Sequence, residues 1–337
     1  MDRFYSFIVP VFNRPGELAE LLESLAKQTY SNFEVIIIED GSNLRSDGLV
    51  KKFSDQLSIQ YADLPRSGPS IARNAGTAIA KGDFFVFVDS DCILPADYLN
   101  LVNRFLDIQP LDFFGGPDRA SESFNLNQKA ISYAMTSFLT TGGIRGGKKK
   151  VDRFYPRSFN MGISKKAFSA VGGFPVTKMH PGEDMVLSIE LISKGFASGL
   201  IPEAYVFHKR RTTFSRFFKQ VFGFGYTRFV ISKVYPETFK LFFLAPTLFL
   251  AGSMAMICMS LLLGFVFILP LGLWVILVLL DATFRNRSAV TGSLAVIASL
   301  IQLYGYGSGF VSAWWQITVL RRDRYSVFSR GFYPDRP

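Results

Sequence analysis

An α/β head followed by a C-terminal α-helical transmembrane region is the fold class that the 337-residue sequence predicts. Three observations carry that expectation. Short apolar runs at Phe7–Phe12, Glu34–Ile38 and Phe84–Val88 are separated by helix-like stretches, the pattern of βαβ units on a parallel sheet. Each run ends in polar residues, and the carboxyl edge of such a sheet is where open α/β folds bind ligands. After Lys240 the apolar stretches reach spanning length, whereas charges are spread through the first 235 residues.

Composition narrows the partners. Hydrophobic residues make up 49% of the chain and the formal charge is +10, so a basic, membrane-linked protein should attract anionic lipid or phosphorylated substrates. No nucleic-acid motif is present, and no nucleic-acid partner is expected. Two cysteines, Cys92 and Cys258, offer neither a disulfide framework nor a metal spacing, which suits a head in a reducing cytosol. Met1 to Val11 is too short, and too soon interrupted by Asn13-Arg14-Pro15, to read as a signal peptide.

The first run leads through Asn13-Arg14-Pro15-Gly16 into a helix with Leu18, Leu21, Leu22 and Leu25 on one face. The second passes into Glu39-Asp40-Gly41-Ser42, where Asp40 either hydrogen-bonds a nucleobase or ribose or belongs to an Asp-Gly turn. Ser67-Gly68-Pro69-Ser70 reads as a capped helix start, with Arg73 near its amino end either meeting phosphate or solvated. That segment feeds the run ending in Asp89-Ser90-Asp91. Residues at i and i+2 of an extended chain face one side, so the two acids can meet one cation, and with a diphosphate they suit Mg²⁺ or Mn²⁺. The alternative is a turn closing the strand.

Further along, Phe113–Pro117 reads as a strand with a Gly turn, and Ser158–Gly162 precedes a helix from about Lys165 to Val171 closed by Gly172-Gly173. Pro181–Met185 opens an amphipathic helix running through Ile189, Leu191 and Ile192 to Gly195. Glu183 and Asp184 on its first turn suit the helix dipole. Ile201 to His208 is strand-like, and His208, one of two histidines, is either packed or a ligand. The Gly142–Lys150 loop is a solvated charge run, or closes over a phosphorylated donor or lipid phosphate. From Thr213 to Tyr235, phenylalanines interleave with Arg216, Lys219, Arg228 and Lys233, as in an interfacial helix or one whose aromatics enter the core.

Leu241–Leu263, Phe265–Leu280 and Val290–Trp315 make three crossings the natural count. Three would place Arg321-Arg322-Asp323-Arg324 opposite the head, against the positive-inside preference. A re-entrant segment would avoid this, and Gly305, Gly307 and Gly309 mark where the last stretch should break. The expected division is a head over 1–212, an interfacial segment over 213–237, transmembrane helices over 238–320 and a basic tail over 321–337.

In order and spacing, Pro10-Val11-Phe12-Asn13-Arg14, Glu39-Asp40-Gly41-Ser42, Ala72-Arg73-Asn74-Ala75-Gly76, Asp89-Ser90-Asp91 and Glu183-Asp184 resemble glycosyltransferase family 2, whose GT-A fold is a Rossmann-like mixed sheet. The resemblance implies a donor site of Pro10, Phe12, Asn13, Arg14, Asp40, Arg73 and Asp89, with Asp40 on the base. It implies Asp89 and Asp91 on the ribose and the metal, His208 near the metal and diphosphate, Asn160 and Glu183 on the acceptor side, and Asp184 as the base that deprotonates an acceptor hydroxyl. Glu39 departs from the usual Asp. Tyr306–Phe310 resembles the last hydrophobic segment of membrane-bound family 2 enzymes of exopolysaccharide (succinoglycan-type) synthesis.

The expected protein is an inverting glycosyltransferase of the inner or plasma membrane with a cytoplasmic catalytic domain. It would move a sugar from a nucleotide diphosphate sugar to a hydroxyl of a lipid-linked glycan acceptor, with Mg²⁺ or Mn²⁺. A polyprenyl-phosphate sugar transferase is the alternative, and needs no base. From another class, the chain would be an inactive membrane-tethered module that binds nucleotide sugars or glycans, against which the intact acids argue.

Overall fold

The computed structural model describes residues 2–119, 124–142, 154–176, 181–209 and 211–323. In chain order these form β1 (Tyr5–Val11), α1 (Pro15–Leu25), β2 (Phe33–Asp40), α2 (Asp47–Phe53), β3 (Ile59–Leu64), α3 (Pro69–Ile79), β4 (Phe84–Val88), β5 (Cys92–Ile93), α4 (Tyr98–Ile108), β6 (Phe113–Gly115) and β7 (Asp118–Arg119). There follow α5 (Leu126–Thr136), α6 (Phe138–Thr141), β8 (Asn160–Ser164), α7 (Lys165–Val171), α8 (Glu183–Ser193), β9 (Ser198–Leu200) and β10 (Val206–His208). The remaining α-helices are α9 (Phe214–Val234), α10 (Ala245–Leu263), α11 (Leu269–Asn286) and α12 (Ala289–Trp314).

The described residues fall into two compact units, the first holding 2–119, 154–176 and 181–208, the second 124–142, 209 and 211–323. The expected head over 1–212 is therefore interrupted, because α5 and α6 pack within the second unit. There the Tyr133 hydroxyl donates to Asp281 Oδ2 of α11 at 2.7 Å and Trp274 Nε1 donates to Leu139 O at 3.1 Å.

The first unit is built on a seven-stranded mixed sheet of order β3-β2-β1-β4-β8-β6-β9. β3, β2, β1 and β4 run parallel, and β8 lies antiparallel between β4 and β6. Alternation along each strand explains why these runs are apolar throughout. Phe7, Val9, Val35, Ile37, Val86 and Val88 enter the core on one face, with Leu18, Leu21, Leu22 and Leu25 of α1. Ile8, Ile36, Ile38, Phe85 and Phe87 enter the core on the other. Burying each such side chain stabilises the fold by about 1.5–3 kcal/mol, so a strand covered on both faces cannot spare an apolar position.

Three expectations about the first unit change. Gly68, at φ 86°, rather than a serine side chain, is the N-cap of α3. Ile201–His208 is not one strand, since β9 ends at Leu200 and β10 begins at Val206 in a separate three-stranded sheet, β5-β10-β7. α8 is buried from Glu183 through Ile189 rather than along one stripe, so it is a core helix and not an amphipathic one.

In the second unit, three helices are long and apolar enough to cross a membrane: Leu241–Leu263, Phe265–Asn286 and Ala289–Val319. The glycines expected to break the last one do not, for α12 continues through all of them. They admit other helices instead. A Cβ at Gly309 would collide with Phe222 O of α9, one at Gly225 of α9 with Tyr306 O of α12, and one at Gly305 would come within 2.5 Å of Val221 Cγ2. α9 thus buries Phe217, Val221, Tyr226 and Phe229 while leaving Arg216, Lys219 and Phe218 exposed. The helix is neither wholly core nor wholly surface. Gly309→Leu is expected to wedge α9 from α12 and lower the thermal midpoint of the detergent-solubilised protein, at the ~1–3 kcal/mol or more that overpacking costs. An unchanged midpoint would show that the helices can part without loss.

Candidate active site

Every candidate site residue described below belongs to the first unit, where the carboxyl ends of β2 and β4, the starts of α3 and α8, and the end of β10 supply the polar groups. Asp40, at the end of β2, accepts from the backbone N–H groups of Ser67 (2.6 Å) and Gly68 (3.1 Å). It therefore fixes the loop that enters α3 as well as standing at the sheet edge. Beside that loop the Arg66 guanidinium lies 4.2 Å over the Phe12 ring. Asn13 adopts φ 53°, a left-handed conformation that asparagine tolerates, and its Oδ1 accepts from Asn43 N (2.8 Å) and Leu44 N (3.0 Å). Its amide oxygen joins the β1 and β2 loops. Pro10 remains partly exposed near the end of β1.

Asp89 and Asp91 engage different partners, and Asp89 lies outside the ligand cluster around Asp91. The strand stops at Val88 and the chain turns, so extended-chain alternation no longer applies. Asp89 Oδ1 accepts from Arg73 Nη2 at 2.9 Å. Asp91 Oδ2 accepts from Arg14, while His208 Nε2 lies 3.2 Å from Asp91 Oδ1 and its ring stacks on Phe159 at 4.7 Å. Burial raises the Asp91 pKa, but His208 and Arg14 outweigh it and hold the carboxyl well below the usual range.

Ligand atoms of Asp91, Cys92 and His208 come within 4.8 Å of one another, the arrangement closest to a metal centre among the described residues. Asp91 Oδ1 is buried there, with the His208 imidazole at 3.2 Å. An ionised carboxylate oxygen beside an imidazole fits Mg²⁺ or Mn²⁺. Cys92 does not: its fully buried thiol is pushed well above its ordinary pKa and donates to Phe159 O at 3.5 Å, and hard cations prefer oxygen. Asp89 stands outside this group.

Arg73 is 3% exposed and neither solvated nor open to phosphate. Its Nη1 donates to Glu183 Oε1 at 3.0 Å, opposite the bond to Asp89. Glu183 is thereby closed off from an acceptor, with its second oxygen taken by Gly182 N at 3.0 Å. Asp184, 8% exposed, accepts from Ser158 N at 3.3 Å and Met185 N at 2.8 Å. Burial above all, and then Glu183, raises its pKa; Arg157, the Ser158 N–H and Arg73 oppose that rise.

Asn160 does not face a substrate. It is fully buried, Nδ2 donating to Ala204 O at 2.8 Å and Oδ1 accepting from the Tyr98 hydroxyl at 2.6 Å. The cause is the β4–β8 pairing, which sets Asn160 against Val88 inside the sheet. That pairing also brings Arg157, which sequence reasoning passed over, to the site, together with Ser158 and Phe159 of the segment read there as preceding a helix. Their signal was position, immediately before a strand antiparallel to the one bearing the acids. His180 and residues 143–150 of the expected Gly142–Lys150 loop lie outside the described residues.

Comparison with known proteins bears on the family and the fold. Residues 6–172 match Glycosyl transferase family 2. The chain is 37% identical over 105 residues to glycosyltransferase GlyA of Streptococcus pneumoniae, covering 31% of this chain and 15% of that one. It is 35% identical over 107 residues to the poly(ribitol-phosphate) beta-N-acetylglucosaminyltransferase TarS of Staphylococcus aureus, covering 31% and 19%. The matched segment thus spans less than a fifth of either relative. Among solved structures, the mannosyltransferase PcManGT of Pyrobaculum calidifontis, in complex with GDP-Man and Mn²⁺, superposes with a TM-score of 0.64 at 17% identity over 90% of this chain and 87% of that one. TarS residues 1–349 superpose at 0.51 and 18% identity over 92% and 90%. At such identities the superpositions speak for the fold, a mixed α/β sheet followed by apolar helices. Residues 6–172 thus carry a glycosyl transferase family 2 domain, and the fold around it is the GT-A mixed sheet.

Proposed function

We propose that the chain is a membrane-anchored, metal-dependent inverting glycosyltransferase, which transfers a sugar from a nucleotide diphosphate sugar to a hydroxyl of a lipid-linked acceptor at the cytoplasmic face of the inner or plasma membrane. One observation carries the reading. Of the acids after β4 and at the start of α8, Asp89, Asp91 and Glu183 are each ion-paired, whereas Asp184 makes no ion pair among the described residues. A buried carboxylate hydrogen-bonded by backbone N–H groups and raised in pKa by burial, in spite of Arg157 and Arg73, suits a general base, whose proton affinity should approach the working pH.

The geometry supports a division of labour. Asp40 orders the loop before α3, Asp91 and His208 are the residues that would hold a divalent cation, and Asp184 takes the hydroxyl proton. When bound, the metal neutralises charge developing on the departing diphosphate. PcManGT and TarS, solved with GDP-Man and Mn²⁺ and with UDP-GlcNAc respectively, support a nucleotide-sugar donor and a divalent ion. Three helices of spanning length support a membrane acceptor.

The test is a screen of the full-length protein in nanodiscs against UDP- and GDP-sugars, reading nucleoside diphosphate release with Mg²⁺ or Mn²⁺. Release stopped by chelator is expected. Release that ignores chelator would remove the metal from the reading, and no binding of any nucleotide would remove the donor.

A further inference from the structure

We propose that Arg73 is a positioning residue: by gripping Asp89 and Glu183 at once, it ties the donor-side end of β4 to the first turn of the helix that carries Asp184. The inference rests on Asp184 as the base. It departs from the donor-contact role that the family resemblance implied for Arg73.

The geometry is that of a clasp. Nη2 holds Asp89, 16 residues away in sequence, and Nη1 holds Glu183, 110 residues away, at 2.9 and 3.0 Å. A guanidinium can do this because its donors form a rigid planar fork, which a lysine's point charge lacks. The clasp continues past Glu183, whose second oxygen accepts from Gly182 N, the N-cap of α8 at φ 129°. Rotation of Glu183 would therefore disturb the residue that starts the helix, and with it Asp184. Phe174 confines the guanidinium from another side, 5.2 Å from Cζ to the ring centroid.

Exposure along the clasp is uneven. The Glu183 and Arg73 side chains are 5% and 4% exposed, whereas that of Asp89 is 34% exposed. One end is thus sealed in the protein and the other opens to solvent, where a donor's sugar or ribose hydroxyl can bond the remaining acceptor positions of Asp89. Arg73 Nε is buried and donates to nothing among the described residues, so the clasp is not saturated for stability. Buried ion pairs are in any case weak evidence of stabilisation, since desolvation offsets much of the attraction. A role in placing Asp184 accounts for both features.

The test uses the full-length protein and four variants: Arg73→Lys, Arg73→Met, Glu183→Gln and the double variant Arg73→Met/Glu183→Gln. Each is read for thermal midpoint, metal-dependent affinity for UDP or GDP, kcat, KM and the pH dependence of kcat. Arg73→Lys should lower kcat by ~10–10²-fold, the range that misplacement of a catalytic group produces, with nucleotide affinity nearly unchanged. The groups facing Asp184 are Arg157, Glu183, Arg73 and the N–H groups of Ser158 and Met185. Removing the negative charge of Glu183 should therefore move the acidic limb of the profile to lower pH, and removing the positive charge of Arg73 should move it to higher pH.

Arg73→Met leaves two carboxylates without their cation and can fail to fold. The double variant relieves one of them, and Glu183→Gln keeps an amide oxygen for Arg73, so either carries the test. A lowered midpoint with kcat and the acidic limb unmoved would reduce the clasp to a structural ion pair and overturn the proposal. So would loss of nucleotide affinity with the limb in place, which would return Arg73 to the donor. Retention of kcat by Asp184→Asn would instead defeat the base assignment, and is read separately.

Discussion

Asp184→Asn is expected to lower kcat by ~10²–10⁴-fold, the usual contribution of a positioned general base, while metal-dependent nucleotide binding survives nearly unchanged. The same substitution should raise the thermal midpoint at pH 7. Burial lifts the pKa of Asp184 in the folded protein above its unfolded value. Such a group contributes stability that is complete below the unfolded pKa and is lost as pH rises through the folded one. At neutral pH the carboxylate is therefore on the costly side of that window, and the neutral amide of Asn avoids the cost. In the wild type, kcat should fall as the medium is acidified through that same folded pKa, above the ordinary carboxylate range. Turnover by the variant equal to wild type would move the assignment to a transferase with an anionic lipid phosphate as acceptor, which needs no base. Loss of nucleotide binding would make Asp184 a structural acid.

Asp91→Ala should act on the other substrate. It deletes the carboxylate that Arg14 and His208 converge on, and with it the ionised oxygen best placed for a hard cation. Metal affinity is expected to fall by more than the ~10–100-fold that loss of an outer-shell partner causes, and metal-dependent nucleotide binding should disappear. The midpoint should drop, since two cationic or potentially cationic groups are left facing one another, in contrast to the rise at Asp184. Titration calorimetry showing metal-independent nucleotide binding unchanged from wild type would sink the assignment.

How much could be read beforehand follows the range of the interactions. Runs such as Phe84–Val88 announce a strand buried on both faces because burial acts residue by residue, and Lys165–Val171 is bounded by local signals, a serine cap and Gly172 at φ 76°. A turn after Val88 was among the readings of Asp89-Ser90-Asp91, but the different partners of the two acids were not legible, because Arg73 and Arg14 arrive from other elements. Nor was the burial of Asn160, which follows from an antiparallel partner more than sixty residues away in sequence. Glu183 and Asp184 are adjacent and chemically alike, yet one forms an ion pair with a guanidinium while the hydrogen bonds of the other come from backbone N–H groups. Composition cannot distinguish them.

The joint between α9 and α12 inverts the usual rule of which positions are replaceable. Gly225 and Gly309 each lie against a main-chain carbonyl, of Tyr306 and Phe222 respectively. Every residue type carries that oxygen, so the contact is indifferent to the side chains at 222 and 306 and intolerant of any at 225 and 309. Across natural variants of this protein, the smallest residues of these helices should therefore drift least and the large aromatics beside them most, the reverse of what the sheet core of the first unit imposes.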